Sequence, residues 1–281
     1  MKLHNRYIFV GALTLVVLAG VVGAVVYSLR DPAEFTYKGK PLSEYLISMV
    51  PGHGNYDTDF QEAKAALIEA GTNAMPVLFR MLRAHDSALR LKLDTVGRKL
   101  GLIRKPFTPA SLKNQAAAAA FVILGSSAKD CAPELVKIFH ENISQDSQLS
   151  ALGALSRIGP LAVQATASLI PGLTNTNHYV RAQVVQTLGY IWATPKLAVP
   201  ELVKCLNDPY ARVRLDAAHV LGGYRARAEA AVPALIAALK DTDSRVRLEV
   251  RLAIWKINPD TYHQLAGEGR VPESADSDPT Q

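Results

Sequence analysis

Histidine, cysteine and acidic side chains are the residues whose spacing would first reveal a catalytic or metal-binding site. The seven histidines are His4, His53, His85, His140, His178, His219 and His263. No two of them stand four residues apart, so no helix face carries the pair of imidazoles that a helical zinc site uses. The chain also lacks the phosphate-loop, GxSxG and GxGxxG motifs. We therefore expect no catalytic residue, no metal site, no cofactor and a function that is not enzymatic.

Three arginines recur at a fixed spacing and could bind an acidic partner. Arg181, Arg214 and Arg247 are 33 residues apart, and Asp208 and Asp241 each precede one of them by six residues. The alternative is structural: each arginine pairs with an aspartate and closes the turn between two helices. We favour this alternative, because a residue repeated at one position of a repeat usually serves the repeat.

The strongest local charge lies in residues 80–105, which hold eight basic and two acidic residues. The candidate binding residues in this basic segment are Arg90, Lys92, Arg98, Lys99, Arg104 and Lys105. They could contact anionic lipid head groups or an acidic protein. The alternative is a solvated helix whose long side chains cover the edge of the fold. Apart from Phe107 no aromatic residue is near for base stacking, so we expect no nucleic acid partner.

The elements that must position these residues are helices. Apolar residues fall at offsets 0, 4, 8 and 11 from Val180, Val213 and Val246, which is one face of an α-helix. A second helix follows each first one and begins near a proline, where a missing backbone N–H is harmless. Apolar residues follow Pro76, Pro133, Pro200 and Pro233 at offsets 2, 3 and 6, whereas Pro171 keeps only Leu173.

These helix pairs define the predicted organisation of the chain. The expected units are residues 60–83, 114–140, 147–177, 180–207, 213–240 and a last helix at 246–257. We expect an all-α solenoid of five to six pairs over residues 60–258, with an insertion near 84–110. Residues 31–59 are expected to be a linker and residues 259–281 a disordered acidic tail. Cys131 and Cys205 fall on helices two repeats apart, too far for a disulfide.

Composition agrees with a helical globular chain. Of the 281 residues 49% are hydrophobic, 20% are charged and 7% are aromatic. This is too apolar for a disordered chain, too poor in aromatics for a typical β-sandwich and too poor in cysteine for a disulfide-stapled domain. The net charge of +6 falls to +3 without residues 1–30, so it is weak evidence for a nucleic acid partner.

The repeats resemble HEAT repeats. The segments "AVPELVKCLNDPYARVRLDAAHVLG" and "AVPALIAALKDTDSRVRLEVRLAIWKI" look like the short bacterial subgroup called phycobilisome-lyase-like HEAT repeats. The segment "YKGKPLSEYL" at 37–46 and the insertion are similar to those of bacterial membrane-anchored HEAT-repeat proteins. The repeat itself, together with the lack of a catalytic motif, predicts a scaffold that presents a groove to an unidentified protein or peptide. The alternatives are a cofactor-handling protein, like the lyases and isomerases among related repeat proteins, and a nucleic-acid binder with a basic groove.

Residues 7–29 contain no charged side chain. At about 1.5 Å per residue this segment is long enough to cross a bilayer as a helix, so we expect a transmembrane anchor in residues 1–30. A cleaved signal peptide of residues 1–24, and hence a secreted protein, is the alternative. Lys2 and Arg6 precede the segment, which favours a cytoplasmic N-terminus and a solenoid on the periplasmic side.

Overall fold

A computed structural model describes residues 34–52, 56–101 and 107–271 of the chain. The chain divides into two compact units, one formed by residues 37–85 and 108–281, the other by residues 1–36 and 86–107. Within the described residues, no helix is both long enough and apolar enough to cross a bilayer. The expected anchor in residues 7–29 lies outside the described residues.

The larger unit is an α-solenoid built from two rows of helices. We call the first row the arginine row, because its last three helices carry Arg181, Arg214 and Arg247. It consists of α5 (Ala110–Leu124), α7 (Gln145–Ile158), α9 (His178–Tyr190), α11 (Ala211–Tyr224) and α13 (Ser244–Ile257). The proline row holds α3 (Ala74–Leu82), α6 (Ala132–Glu141), α8 (Thr166–Leu169), α10 (Pro195–Cys205) and α12 (Val232–Ala238). The apolar residues at offsets 0, 4, 8 and 11 from Val180, Val213 and Val246 are all buried.

Short 3₁₀ segments join the two rows. They span Gly71–Asn73, Gly125–Cys131, Gly159–Ala165 and Arg225–Ala231, and a further one, Ile170–Thr174, replaces the end of the proline-row helix after α8. Pro171 lies in this last segment. A Cβ on Gly172 would lie 2.7 Å from the Phe139 ring. In this repeat, which lacks the apolar pattern after the proline, the backbone therefore packs directly against the side chain of Phe139 in the preceding repeat.

The segment expected to be a linker is folded, and that prediction is wrong for residues 34–52. Strands β1 (Thr36–Tyr37) and β2 (Lys40–Pro41) pair, and α1 (Leu42–Ser48) follows directly. Leu42 and Leu46, four residues apart, are fully buried where α1 packs on α2 (Tyr56–Ala70), α3 and α5. This short helix caps the first helices of the solenoid, so its apolar pair has no counterpart in the repeat.

The tail is also partly ordered, against the prediction of disorder from residue 259. Helix α14 (Pro259–Gly267) packs against α13, with Tyr262 and Leu265 buried. The side chain of Asn258 accepts a hydrogen bond from the Thr261 N–H and caps the helix. Helix α14 covers the apolar face that the last repeat would otherwise expose. The acidic residues from 272 onward lie outside the described residues.

A buried asparagine shows where the insertion enters the repeat. Asn114, on α5, donates from Nδ2 to the carbonyl oxygens of Met81, Leu82 and Ala84 at 2.8–3.2 Å. These carbonyls end helix α3, so the last helix of the first pair packs on the first helix of the second pair, although residues 86–107 separate them in sequence. The insertion, which carries α4 (Ala88–Lys99), therefore lies between two helix pairs in the sequence.

The two cysteines are free thiols and both are buried. Cys131 lies 3.3 Å from the sulfur of Met75, and Cys205 ends helix α10. Burial raises the pKa of both thiols, that of Cys205 to about 11. Both cysteines therefore stay in the unreactive thiol form near neutral pH.

Candidate binding groove between α9 and α11

The repeated arginines join neighbouring repeats. Arg181 forms two hydrogen bonds with Asp208 at 2.7 and 2.8 Å, and Arg214 does the same with Asp241 at 2.6 and 2.8 Å. The carboxylate partner stands 27 residues ahead, in the next repeat. The aspartate six residues before serves differently, because Arg214 and Arg247 bond only its main-chain carbonyl.

This pairing is buried and self-contained. Burial alone would raise the pKa of Asp208, but the hydrogen bonds from Arg181 and from the Tyr210 N–H outweigh it, so the pKa is lowered. The hydrogen bond from Arg214 lowers the pKa of Asp241. Since both carboxylates are saturated by their own chain, the side chains of Arg181 and Arg214 have little capacity left for an acidic partner.

A second repeat position has a backbone conformation that suits glycine. Gly125 and Gly159 adopt φ values of 48° and 68° where the arginine-row helix ends. The residues at this position in the next two repeats are Trp192 and Arg225, with φ values of 52° and 53°. A bulky residue rarely adopts positive φ, and such strain is often found at functional sites.

Trp192 stands at the mouth of a groove between α9 and α11. The groove has a volume of about 420 Å³ and its apolar walls include Tyr190, Trp192, Leu215 and Val220. The guanidinium of Arg227 lies 4.9 Å from the centre of the Trp192 ring. Tyr190 and Trp192 remain largely exposed. The groove thus offers two aromatic rings at the surface of the solenoid.

Two ionic clusters line the polar side of the groove. Asp216 accepts hydrogen bonds from Gln186 on α9 at 3.0 Å and from Arg212 at 2.8 Å. His219 lies 2.9 Å from Glu249 on α13, and this hydrogen bond raises the pKa of the imidazole. Three successive arginine-row helices are therefore connected by polar contacts along the groove.

In both clusters the acid is less exposed than the base, which faces solvent. The side chain of Arg212 is 64% exposed against 6% for Asp216. The side chain of His219 is 65% exposed against 18% for Glu249. A ligand in the groove would therefore meet the basic members first, together with the exposed Arg227.

The basic segment predicted as a binding site, residues 80–105, contributes none of its described residues to this groove. Arg90, Lys92, Arg98 and Lys99 are on helix α4, and Arg98 pairs with Asp94 one turn away at 2.7 Å. Arg104 and Lys105 lie outside the described residues. Arg83, at the start of the segment, binds Glu134 and Glu141 within the larger unit at 2.6 and 2.7 Å. None of the four described candidates is among the residues that line the α9–α11 groove.

Sequence reasoning missed the groove because its residues come from three helices. The available signal was the repeat itself: Asp216 and Glu249 are 33 residues apart, as are Gln186 and His219. Polar residues that recur at one helix position mark a common face.

Of the remaining histidines, His140 contacts the Ser168 carbonyl at 2.9 Å and His178 stacks on Tyr210. The described residues hold no cluster of three potential metal ligands.

Comparisons with known proteins support the repeat assignment. Residues 166–255 match the family model described as HEAT repeats. Two crystal structures of engineered proteins are similar in fold, one at 20% identity and a TM-score of 0.42, covering 78% of this chain and 96% of its own. The other has 21% identity and a TM-score of 0.45, covering 84% of this chain and 74% of its own. No curated protein matches. Over residues 166–255, which include helices α8 to α12 and most of α13, the chain is therefore similar to HEAT repeats.

Proposed function

We propose that the protein is a non-enzymatic scaffold, anchored in a membrane, whose α9–α11 groove binds a segment of a partner protein. The observation that carries the proposal is the pair of exposed aromatic rings, Tyr190 and Trp192, beside the outward-facing Arg212. Tryptophan, tyrosine and arginine are the residues that dominate the energy of protein interfaces. Their grouping at one groove of a solenoid is typical of peptide recognition.

The charges of the groove favour an acidic segment with an apolar side chain. Arg212, His219 and Arg227 face solvent, whereas Asp216 is buried, Glu249 is half-buried, and both acids are already paired. Charge complementarity across an interface selects partners of opposite sign. The apolar walls of Leu215 and Val220 would take the side chain that anchors the segment.

The membrane placement rests on the sequence. Residues 7–29 are uncharged and the basic residues Lys2 and Arg6 precede them. This pattern favours an anchor with the solenoid outside the cytoplasm. The partner would then be another protein of the same compartment, held near the membrane by the anchor.

Site-specific photo-crosslinking of the full chain in its native membranes tests the groove. The crosslinking amino acid benzoylphenylalanine would replace Tyr190 in one variant and Tyr179 in the other. The two tyrosines lie on the same helix and are 61% and 60% exposed, but only Tyr190 lines the groove. We expect a discrete adduct from position 190 and none from position 179.

The chemistry of the partner is tested with a displayed library of random 12-residue peptides selected on the purified full chain. Peptides rich in Asp and Glu around an aromatic or aliphatic residue should be enriched. An otherwise identical selection on Arg212→Glu should lose this acidic preference. Equal adducts at both tyrosines, or an unchanged peptide preference in the variant, would contradict the groove as the binding site.

A further inference from the structure

Helix α4 exposes an apolar stripe that no part of the described chain covers. Leu89 is 67% exposed, Val96 is 51% and Leu100, at the C-cap, is 64%. Of the fourteen large apolar side chains that are exposed in the described residues, four lie on or next to this 12-residue helix. Single exposed apolar residues are ordinary, but a concentration of them marks an interaction surface.

Three of the four exposed residues, Leu89, Val96 and Leu100, share one face of the helix with the half-buried Leu93. At about 100° per residue, the stripe of Leu89, Leu93, Val96 and Leu100 spans about 60° of the helix circumference. Leu91 lies on the opposite face, near Arg98. The stripe is thus a narrow band that a flat apolar surface could cover in full.

Basic residues border the stripe on both sides. Lys92 and Lys99 lie beside one edge and Arg90 beside the other, whereas Arg98 and Asp94 form their ion pair on the far side. This is the arrangement of a helix that lies in a membrane interface. Its apolar face enters the acyl boundary while flanking lysines and arginines reach the head groups.

We propose that α4 lies flat on a bilayer containing anionic lipids, with the stripe inserted and Lys92 and Lys99 at the phosphate level. The apolar stripe favours a bilayer over an acidic protein, because a purely charged docking site would not require four aliphatic residues in register. The complementary charge of the flanking residues selects anionic lipid. The proposal rests on α4 alone and does not depend on a partner in the α9–α11 groove.

The test uses the full chain reconstituted into vesicles, with Cys131 and Cys205 replaced by alanine and one fluorescent label on α4. The label is attached at Val96→Cys in one protein and at Leu91→Cys in the matched control. Vesicles of phosphatidylcholine and phosphatidylglycerol, or of phosphatidylcholine alone, carry a quencher on the lipid acyl chain. We expect strong quenching at position 96, little at position 91, and weaker quenching at 96 without the anionic lipid.

Charge reversal at Lys99 and at the adjacent Arg98 distinguishes a contact of Lys99 with lipid from an effect of the net charge of the helix. Lys99→Glu should reduce membrane quenching at position 96 by roughly fivefold, because each basic residue near an anionic surface contributes to binding. Arg98→Glu makes the same charge change on the far side and should have little effect. Equal quenching at positions 91 and 96, or protection of position 96 from an aqueous quencher without lipid quenching, would overturn the proposal. The latter result would indicate a protein partner on the stripe.

Discussion

Arg225 shows how a single residue can carry strain inside a regular repeat. Its φ of 53° and ψ of −141° are suited to glycine, and glycine occupies the same position in two other repeats. A non-glycine residue held in such a conformation costs about 1–3 kcal/mol. We expect Arg225→Gly to raise the free energy of unfolding by about 1 kcal/mol, because part of the gain is offset by the flexibility of glycine in the unfolded chain.

The measurement is urea or thermal unfolding of the full chain. Arg225→Ala is the control, since it removes the guanidinium but keeps the Cβ that makes the conformation unfavourable. A rise in stability for both variants would assign the effect to the arginine side chain rather than to the backbone. Trp192, at the same repeat position, also has a positive φ, of 52°.

His219 provides a pH-dependent prediction within the groove. Its pKa is raised by the hydrogen bond to Glu249 and, more weakly, by Asp216, while burial and Lys256 act in the opposite direction. The contribution of this pair to folding stability is complete below the unfolded pKa near 6.5 and is lost as pH rises through the higher folded pKa. Basic charge at the groove should decline over the same interval.

An NMR titration of the imidazole measures this shift directly. Wild-type His219 should titrate above 6.5, and Glu249→Gln should bring the value down toward that of a free histidine. His263, on α14, is an internal reference that lies outside the groove. An unchanged titration in the Glu249 variant would mean that the pair does not form in solution.

At the scale of elements, the arginine-row helices approach closely at glycine positions. A Cβ on Gly222, in α11, would lie 3.0 Å from the Cα of Ala253 in α13. A Cβ on the adjacent Gly223 would meet nothing within 4 Å. We expect Gly222→Ala to destabilise the protein by about 1–3 kcal/mol, since the backbone of α13 must move. Gly223→Ala should be neutral or stabilise by up to about 1 kcal/mol through helix propensity.

Denaturant unfolding of the two alanine variants gives the comparison. The substitutions are chemically identical and adjacent, so a difference between them reports the approach of α13 to α11. Equal changes in stability would contradict the close packing of these two helices.

The repeat helices were predictable because burial follows their period. Val213, Ala217 and Leu221 lie on one face of α11, and all three are fully buried as the spacing indicates. Helices α1 and α14 were missed because each caps an end of the solenoid and carries only two or three buried core residues, too few to set a period. The groove was missed because its polar contacts, Gln186 with Asp216 and His219 with Glu249, each join two different helices. The sequence of a single helix does not show how close the next helix lies.

At the scale of the whole molecule, contacts between neighbouring repeats stabilise the fold and also form the groove. Each helix pair is held by its neighbours, through the buried faces and through ion pairs such as that of Arg181 with Asp208. The groove requires α9 and α11 together, so it exists only in the assembled stack. Helix α4 belongs to the other compact unit.

The placement of the solenoid relative to the membrane is the last prediction. Lys2 and Arg6 before an uncharged segment favour a cytoplasmic N-terminus, so a reporter enzyme that is active only outside the cytoplasm should be active when fused after Gln281. Deletion of residues 1–30 should abolish the reporter signal, because residues 7–29 are the segment that we expect to direct export. A reporter that is active only in the cytoplasm should be inactive when it is fused after Gln281 of the full chain. The reverse pattern would place the solenoid inside the cell and would reopen nucleic acid as a partner of its basic residues.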